Sequence, residues 1–161
     1  MPTWPLRGDA PVEDRLRPGS RRPRAAALAG ALAEGRPPAP AVLLGDGPPP
    51  TGPTVVLRAA EAREAGEDVW CRIAVHDRNR VAVEGDLAAL ADLDVAAVVV
   101  DADPPPGRVL DLAPIEVARL ATYAGLVVLV AGPVGEPERW RRAGACGLLV
   151  GTPDRPRAVA L

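Results

Sequence analysis

The stretch from Leu126 to Leu161, LVVLVAGPVGEPERWRRAGACGLLVGTPDRPRAVAL, decides the fold, because it reads in succession as strand, glycine loop, helix, strand and glycine loop. Leu126 to Val130 is an unbroken, valine-rich apolar run, the pattern of a strand buried on both faces of a parallel sheet. Gly132, Pro133 and Gly135 end it. Glu136, Pro137 and Glu138 then place a proline and two carboxylates in a first helical turn, where the missing N–H is harmless and negative charge meets the positive end of the helix dipole. Arg139, Arg141 and Arg142 fall in the last turn, and Gly144 is a helix stop. Cys146 to Val150 forms a second apolar strand, after which Gly151 and Thr152 open a loop towards a predicted final helical segment. Two βα loops with glycine at the strand ends bring bare backbone N–H groups to one face of the sheet. That predicts an anion site at Gly132, Val134, Gly135, Gly151 and Thr152, with Arg155 just beyond as a further, bidentate contact. The same glycines serve equally well as helix stops and tight-turn residues.

Upstream, the same unit recurs. Arg24 to Glu34 is alanine-rich with Leu28 and Leu32 four apart, which predicts a short helix. Strands are expected near 42 to 44, 69 to 75, 95 to 100, 126 to 130 and 147 to 150. Thr54 to Ala65 reads as a helix stopping at Gly66, although Val55, Val56 and Leu57 suit a strand as well. Asp86 is placed to cap a helix through Leu87, Leu90 and Leu93, and Asp111 and Pro114 start another carrying Ile115, Val117 and Leu120. Strands alternating with helices define an α/β protein with a parallel sheet of about five βα units. Residues 1–40 form a Pro/Arg-rich, irregular N-terminal segment with one short helix, and residues 41–161 form the α/β domain. Arg15, Arg17, Arg21, Arg22 and Arg24 make a local basic cluster in that segment. With only Trp4 as a stacking surface it reads as a solvated tail rather than a nucleic-acid arm.

Composition narrows the chemistry. The 161 residues suit one core, with 48% apolar and 25% charged side chains, and the net charge of −2 exerts no overall pull on nucleic acid. Only 2% of residues are aromatic and none is phenylalanine, so the core is built of alanine, valine and leucine. All nineteen basic residues are arginine. Arginine forms no Schiff base and holds its proton at neutral pH, so lysine-dependent mechanisms are excluded. Cys71 and Cys146 are expected as free thiols rather than a disulfide, and with His76 they make no metal signature. No apolar run reaches the roughly 20 residues of a membrane span, and the first residues lack a signal-peptide core, so no membrane partner is expected and a cytoplasmic location is. No cofactor motif is present. His76 and Asp77 at a strand end, and Asp101 at the next, are the weak catalytic candidates; Asp101 with Asp103 also suits a polar strand exit before three prolines.

From about Ala41 onward the chain is similar to the later part of indole-3-glycerol phosphate synthase, the tryptophan-pathway enzyme of the phosphate-binding TIM-barrel superfamily. Ile73-Ala74-Val75-His76-Asp77 resembles that family's strand-five motif ending Glu-Val-His-Asp. Val100-Asp101-Ala102-Asp103 with Leu110-Asp111-Leu112 resembles its strand-six Asn-Asn-Arg segment and following helix. Ala143 to Gly151, AGACGLLVG, is similar to its ending Ala-Gly-Ala-Asp-Ala-Val-Leu-Val-Gly. The resemblance implies a truncated, partial TIM-barrel-like sheet with phosphate held on the last two βα loops. The departures imply a pseudoenzyme. Ala74 stands where the family has its glutamate, Asp101 and Asp103 where it has asparagine and arginine, Val130 and Ala131 where it has Glu-Ser, and no lysine exists to act as acid or base.

A complete barrel has roughly 200 to 250 residues and eight strands, so an arc of five leaves edges to be covered by dimerisation, by a protein partner or by another closure. The alternative resemblance is to the flavodoxin-like receiver domain of response regulators, with Asp101 as phosphoacceptor and Asp46 nearby. There the chain departs by lacking the lysine after strand five and by carrying Ala131 in place of a hydroxyl, which implies a degenerate domain acting through protein contacts. Strand order separates the two: 1-2-3-4-5 for the barrel arc, 2-1-3-4-5 for the receiver.

Overall fold

A computed structural model describes residues 22–46, 52–75, 78–105 and 112–161. The candidates His76 and Asp77, the helix-starting Asp111, and the tail up to Arg21 lie outside them. In chain order the elements are α1 (Pro23–Ala33), β1 (Val42–Leu44), α2 (Val55–Glu64), β2 (Val69–Arg72), α3 (Arg80–Asp92), β3 (Ala97–Asp101), α4 (Pro114–Tyr123), β4 (Val128–Ala131), α5 (Pro137–Arg142), β5 (Ala145–Thr152) and β6 (Arg155–Ala160).

The strands form one six-stranded sheet in the order β1-β2-β3-β4-β5-β6, curled as a half-barrel. β1 to β5 are parallel throughout. The order is sequential, as the barrel arc requires and the receiver fold does not, so the doubly wound alternative loses its architecture. β6 is the exception, pairing antiparallel with β5. The final helical segment expected after Thr152 is therefore a strand. Pro153 and Asp154 turn the chain back, and Arg155 to Ala160 continues as an edge strand, where a proline at position 156 is tolerated because one side of the strand has no partner among the described residues.

Period-two alternation sends the strand side chains to two separate cores. On the convex face Val69, Cys71, Ile73, Val98, Val100, Val128 and Val130 meet Val55, Val83, Leu87, Leu90, Val117 and Trp140 of the outer helices. On the concave face Trp70, Ala97, Val99, Val127, Leu129, Ala131 and Ala158 meet Ala25, Leu28 and Leu32 of α1. The concave side of a curled sheet has less room per residue, which accounts for its alanines. α1 occupies the space that would be a barrel's interior, and it is tied there by ion pairs from Arg24 to Asp68 and Asp94, while Arg22 meets Asp92 at 2.7 Å. Two arginines of the sequence's basic cluster thus serve as anchors. No polar or charged residue is buried among the described residues.

Two helix starts illustrate the local rules. Thr54 caps α2, its hydroxyl accepting from the Leu57 N–H at 3.3 Å, so the Val55-Val56-Leu57 run is helical rather than extended. α3 begins at Arg80, earlier than expected, because the Asn79 side chain accepts from the Ala82 N–H at 2.9 Å. Asp86, expected as the cap, lies inside that helix and pairs with Arg78 at 2.6 Å.

Candidate functional site

In a parallel α/β sheet the carboxyl ends of the strands carry the loops that reach ligands. Asp46, Asp101 and Gly132 stand at or just beyond these ends after β1, β3 and β4, and two of the three already have structural work. Asp46 accepts the Val55 N–H at 2.8 Å, anchoring the start of α2, and its other oxygen lies 3.9 Å from Arg78. Asp101 lies 3.6 Å from the Arg72 guanidinium on the neighbouring strand.

The third end opens a cleft. Gly132 and Gly135 both take positive φ, 84° and 61°, and the loop between them turns away from β4. Val134 is fixed by its carbonyl, which accepts the Trp140 indole N–H at 3.0 Å. That bond ties the loop to α5 and leaves a cavity of about 450 Å³ between the loop, Ala102 after β3, and the start of α4. Pro133, Val134, Gly135, Glu136, Arg139 and Trp140 form one wall, and Ala113, Pro114 and Ile115 the other. Arg139 has no carboxylate partner among the described residues.

The electrostatics limit what this cleft holds. The Glu116 carboxylate reaches back to the Ala113 N–H at 2.7 Å, so a resident anion already meets the N-terminus of α4. Pro114 and Pro137 leave the first positions of α4 and α5 without an N–H. Positive potential in the cleft comes from Arg139, opposed by Glu136 in the same wall.

Of the residues nominated from sequence, Val134 and Gly135 line this cleft and Gly132 leads into it. The others sit elsewhere. Gly151 and Thr152 belong to β5 and the hairpin, not to a loop before a helix. Gly151 takes a φ of 91°, and a Cβ there would stand 2.6 Å from the Arg155 carbonyl oxygen, so this glycine is required by the close approach of β6. A bulky side chain at Gly151 would consequently disturb the hairpin itself. Arg155 lines a different groove, described below. The sequence reading missed Arg139, placed only in the last turn of a helix, and Trp140; the signal for both is the short span between Val134 and Trp140, with an indole donor at its end, which lets the loop fold back on the helix.

The remaining titratable group of note is Cys71, buried in β2 against α2. Burial pushes its thiol up to about 12, with the Arg58 guanidinium pulling the other way, so it is no nucleophile at neutral pH. Cys71 is buried, and Cys146 is partly so, its thiol donating to the Gly144 carbonyl at 3.6 Å. No helix among the described residues is long and apolar enough to cross a membrane. Compared with protein-family models, curated proteins and solved structures, the chain matches none of them.

Proposed function

We propose that the chain binds a small phosphorylated molecule in the cleft at the carboxyl ends of β3 and β4, and that it does so without synthase chemistry. The observation that carries this reading is the cleft itself, entered by Gly132 to Gly135 and carrying Arg139, which has no carboxylate partner among the described residues. Gly135 has no neighbour within 4 Å of where a Cβ would stand, so its backbone is open to a close ligand. Arg139 supplies the charge-assisted contact. The chemical arm of the resemblance lacks its counterparts: a synthase-like ring closure requires groups that release and accept protons, and the chain has Ala74 at the glutamate's position and no lysine.

Isothermal calorimetry with inorganic phosphate and a pentose phosphate tests the proposal. Binding is expected for the pentose phosphate, and Arg139→Ala is expected to weaken it about tenfold, the loss of one charge-assisted contact. Absence of heat at millimolar ligand, or an unchanged affinity in Arg139→Ala, would sink it. Incubation with the carboxyphenylamino-deoxyribulose phosphate substrate of the resembled family should give no turnover above buffer.

A further inference from the structure

β6 pairs with β5 on one side and, among the described residues, with no strand on the other. The Leu161 N–H donates to the Cys146 carbonyl at 3.3 Å, which makes that pair a hydrogen-bonded one. Antiparallel pairs alternate, so Val159, Arg157 and Arg155 direct their backbone groups at β5, and Pro156, Ala158 and Ala160 direct theirs outward. Pro156 falls on an outward position, where its lack of an N–H breaks no bond to β5. Among the described residues no partner meets the outward groups of Ala158 and Ala160.

This unpaired edge faces a groove rather than open surface. All of Asp154 to Ala160 forms one wall of a cavity of about 620 Å³, Trp70 and Leu32 contribute apolar surface, and residues 35–41 form the opposite side. That side contains Pro37, Pro38 and Pro40, which have no N–H with which to close the groove by pairing across it. At its rim Arg155 and Arg157 have no carboxylate partners among the described residues, whereas Arg36 is matched by Glu34.

We propose that the groove is a strand-accepting site, in which an extended acidic peptide segment of a partner protein pairs with the outer edge of β6. The carbonyls of Pro156, Ala158 and Ala160 and the N–H groups of Ala158 and Ala160 supply the main-chain contacts, as in other strand additions to sheet edges. Arg155 and Arg157 select carboxylates on the incoming strand. Six residues of β6 span about 20 Å, which sets the length of the recognised segment at four to six residues.

The test uses the full chain and an acetylated, amidated hexapeptide of alternating glutamate and valine, with two versions N-methylated at alternate amides and one with lysine for glutamate. The acidic peptide is expected to bind. One N-methylated version and the lysine version are expected to bind at least tenfold more weakly, and the Ala158 and Ala160 amides are expected to gain exchange protection on binding. Ala160→Pro removes one outward N–H while leaving every β5 to β6 bond in place, and is expected to weaken the peptide about tenfold. Arg157→Glu provides a second handle, reversing the preference towards the lysine peptide. Arg139→Ala leaves peptide binding unchanged, which separates this site from the phosphate cleft. No binding at millimolar peptide, or equal binding by both N-methylated versions, overturns the proposal. So does a chain that sediments as a dimer dissociated by Ala160→Pro, which would assign the edge to a second copy.

Discussion

At Gly144 two constraints coincide. The residue follows α5 with a φ of 96°, where any side chain is strained, and a Cβ built there would overlap the Thr122 side chain. Thr122 is itself held, its hydroxyl donating to Ala118 at 2.9 Å and lying 3.1 Å from the Ala143 carbonyl. Gly144→Ala is expected to destabilise the fold by about 2 to 5 kcal/mol, combining left-handed strain of about 1 to 2 with overpacking of about 1 to 3. Urea unfolding measures it, and a loss below about 1 kcal/mol would show that Thr122 swings away freely. Cys71 sets a different dependence. The unfolded thiol loses its proton near 9.0 and the folded one near 12, so between those values the folded state holds more protons and stability falls as pH rises. The slope is about 1 kcal/mol per pH unit, and a chain without lysine has little else of this kind to titrate there. Cys71→Ala should flatten the slope between pH 9 and 11 whatever it does to stability at pH 7; an unchanged slope would refute the assignment.

Among the elements, α1 is the one whose position the sequence did not announce. Its Leu28 and Leu32 spacing marked a helix with an apolar stripe, but nothing local says which sheet face receives it. Leu28 is buried in the concave core against strands far from it in sequence. Leu28→Ala is expected to destabilise by about 2 to 4 kcal/mol, since the packed alanines around it have no longer side chains with which to refill the space. Thermal unfolding checks this, and a change under 1 kcal/mol would place α1 outside the cooperative core. β6 was missed for a related reason. Its alternation of Arg, Pro, Arg, Ala, Val, Ala is broken by a proline that argues against a central strand, and the exemption for an edge depends on knowing the strand order. The first two turns of α3 were missed because they carry Val81, Val83 and Gly85, weak helix formers, ahead of the leucine-rich part of the helix.

For the whole molecule, the strand positions and their parallel sense were readable because buried parallel strands are continuous apolar runs such as Val95 to Val100. The sequential order was not, since both resemblances shared one strand list. Of the residues grouped from the sequence, Val134 and Gly135 line the candidate cleft, whereas Gly151, Thr152 and Arg155 were grouped with them on the expectation of a helix that is a strand. A deeper consequence follows from α1. Among the described residues each strand pairs only with its neighbours in sequence, so the sheet alone is a nearly one-dimensional stack, able to fray from either end unit by unit. α1 crosses that stack, touching β5 and β6 while its first turn grips Asp68 before β2 and Asp94 before β3. It closes long loops and couples the last strands to the early ones, so the chain is expected to unfold in a single all-or-none transition rather than through a gradient of local openings.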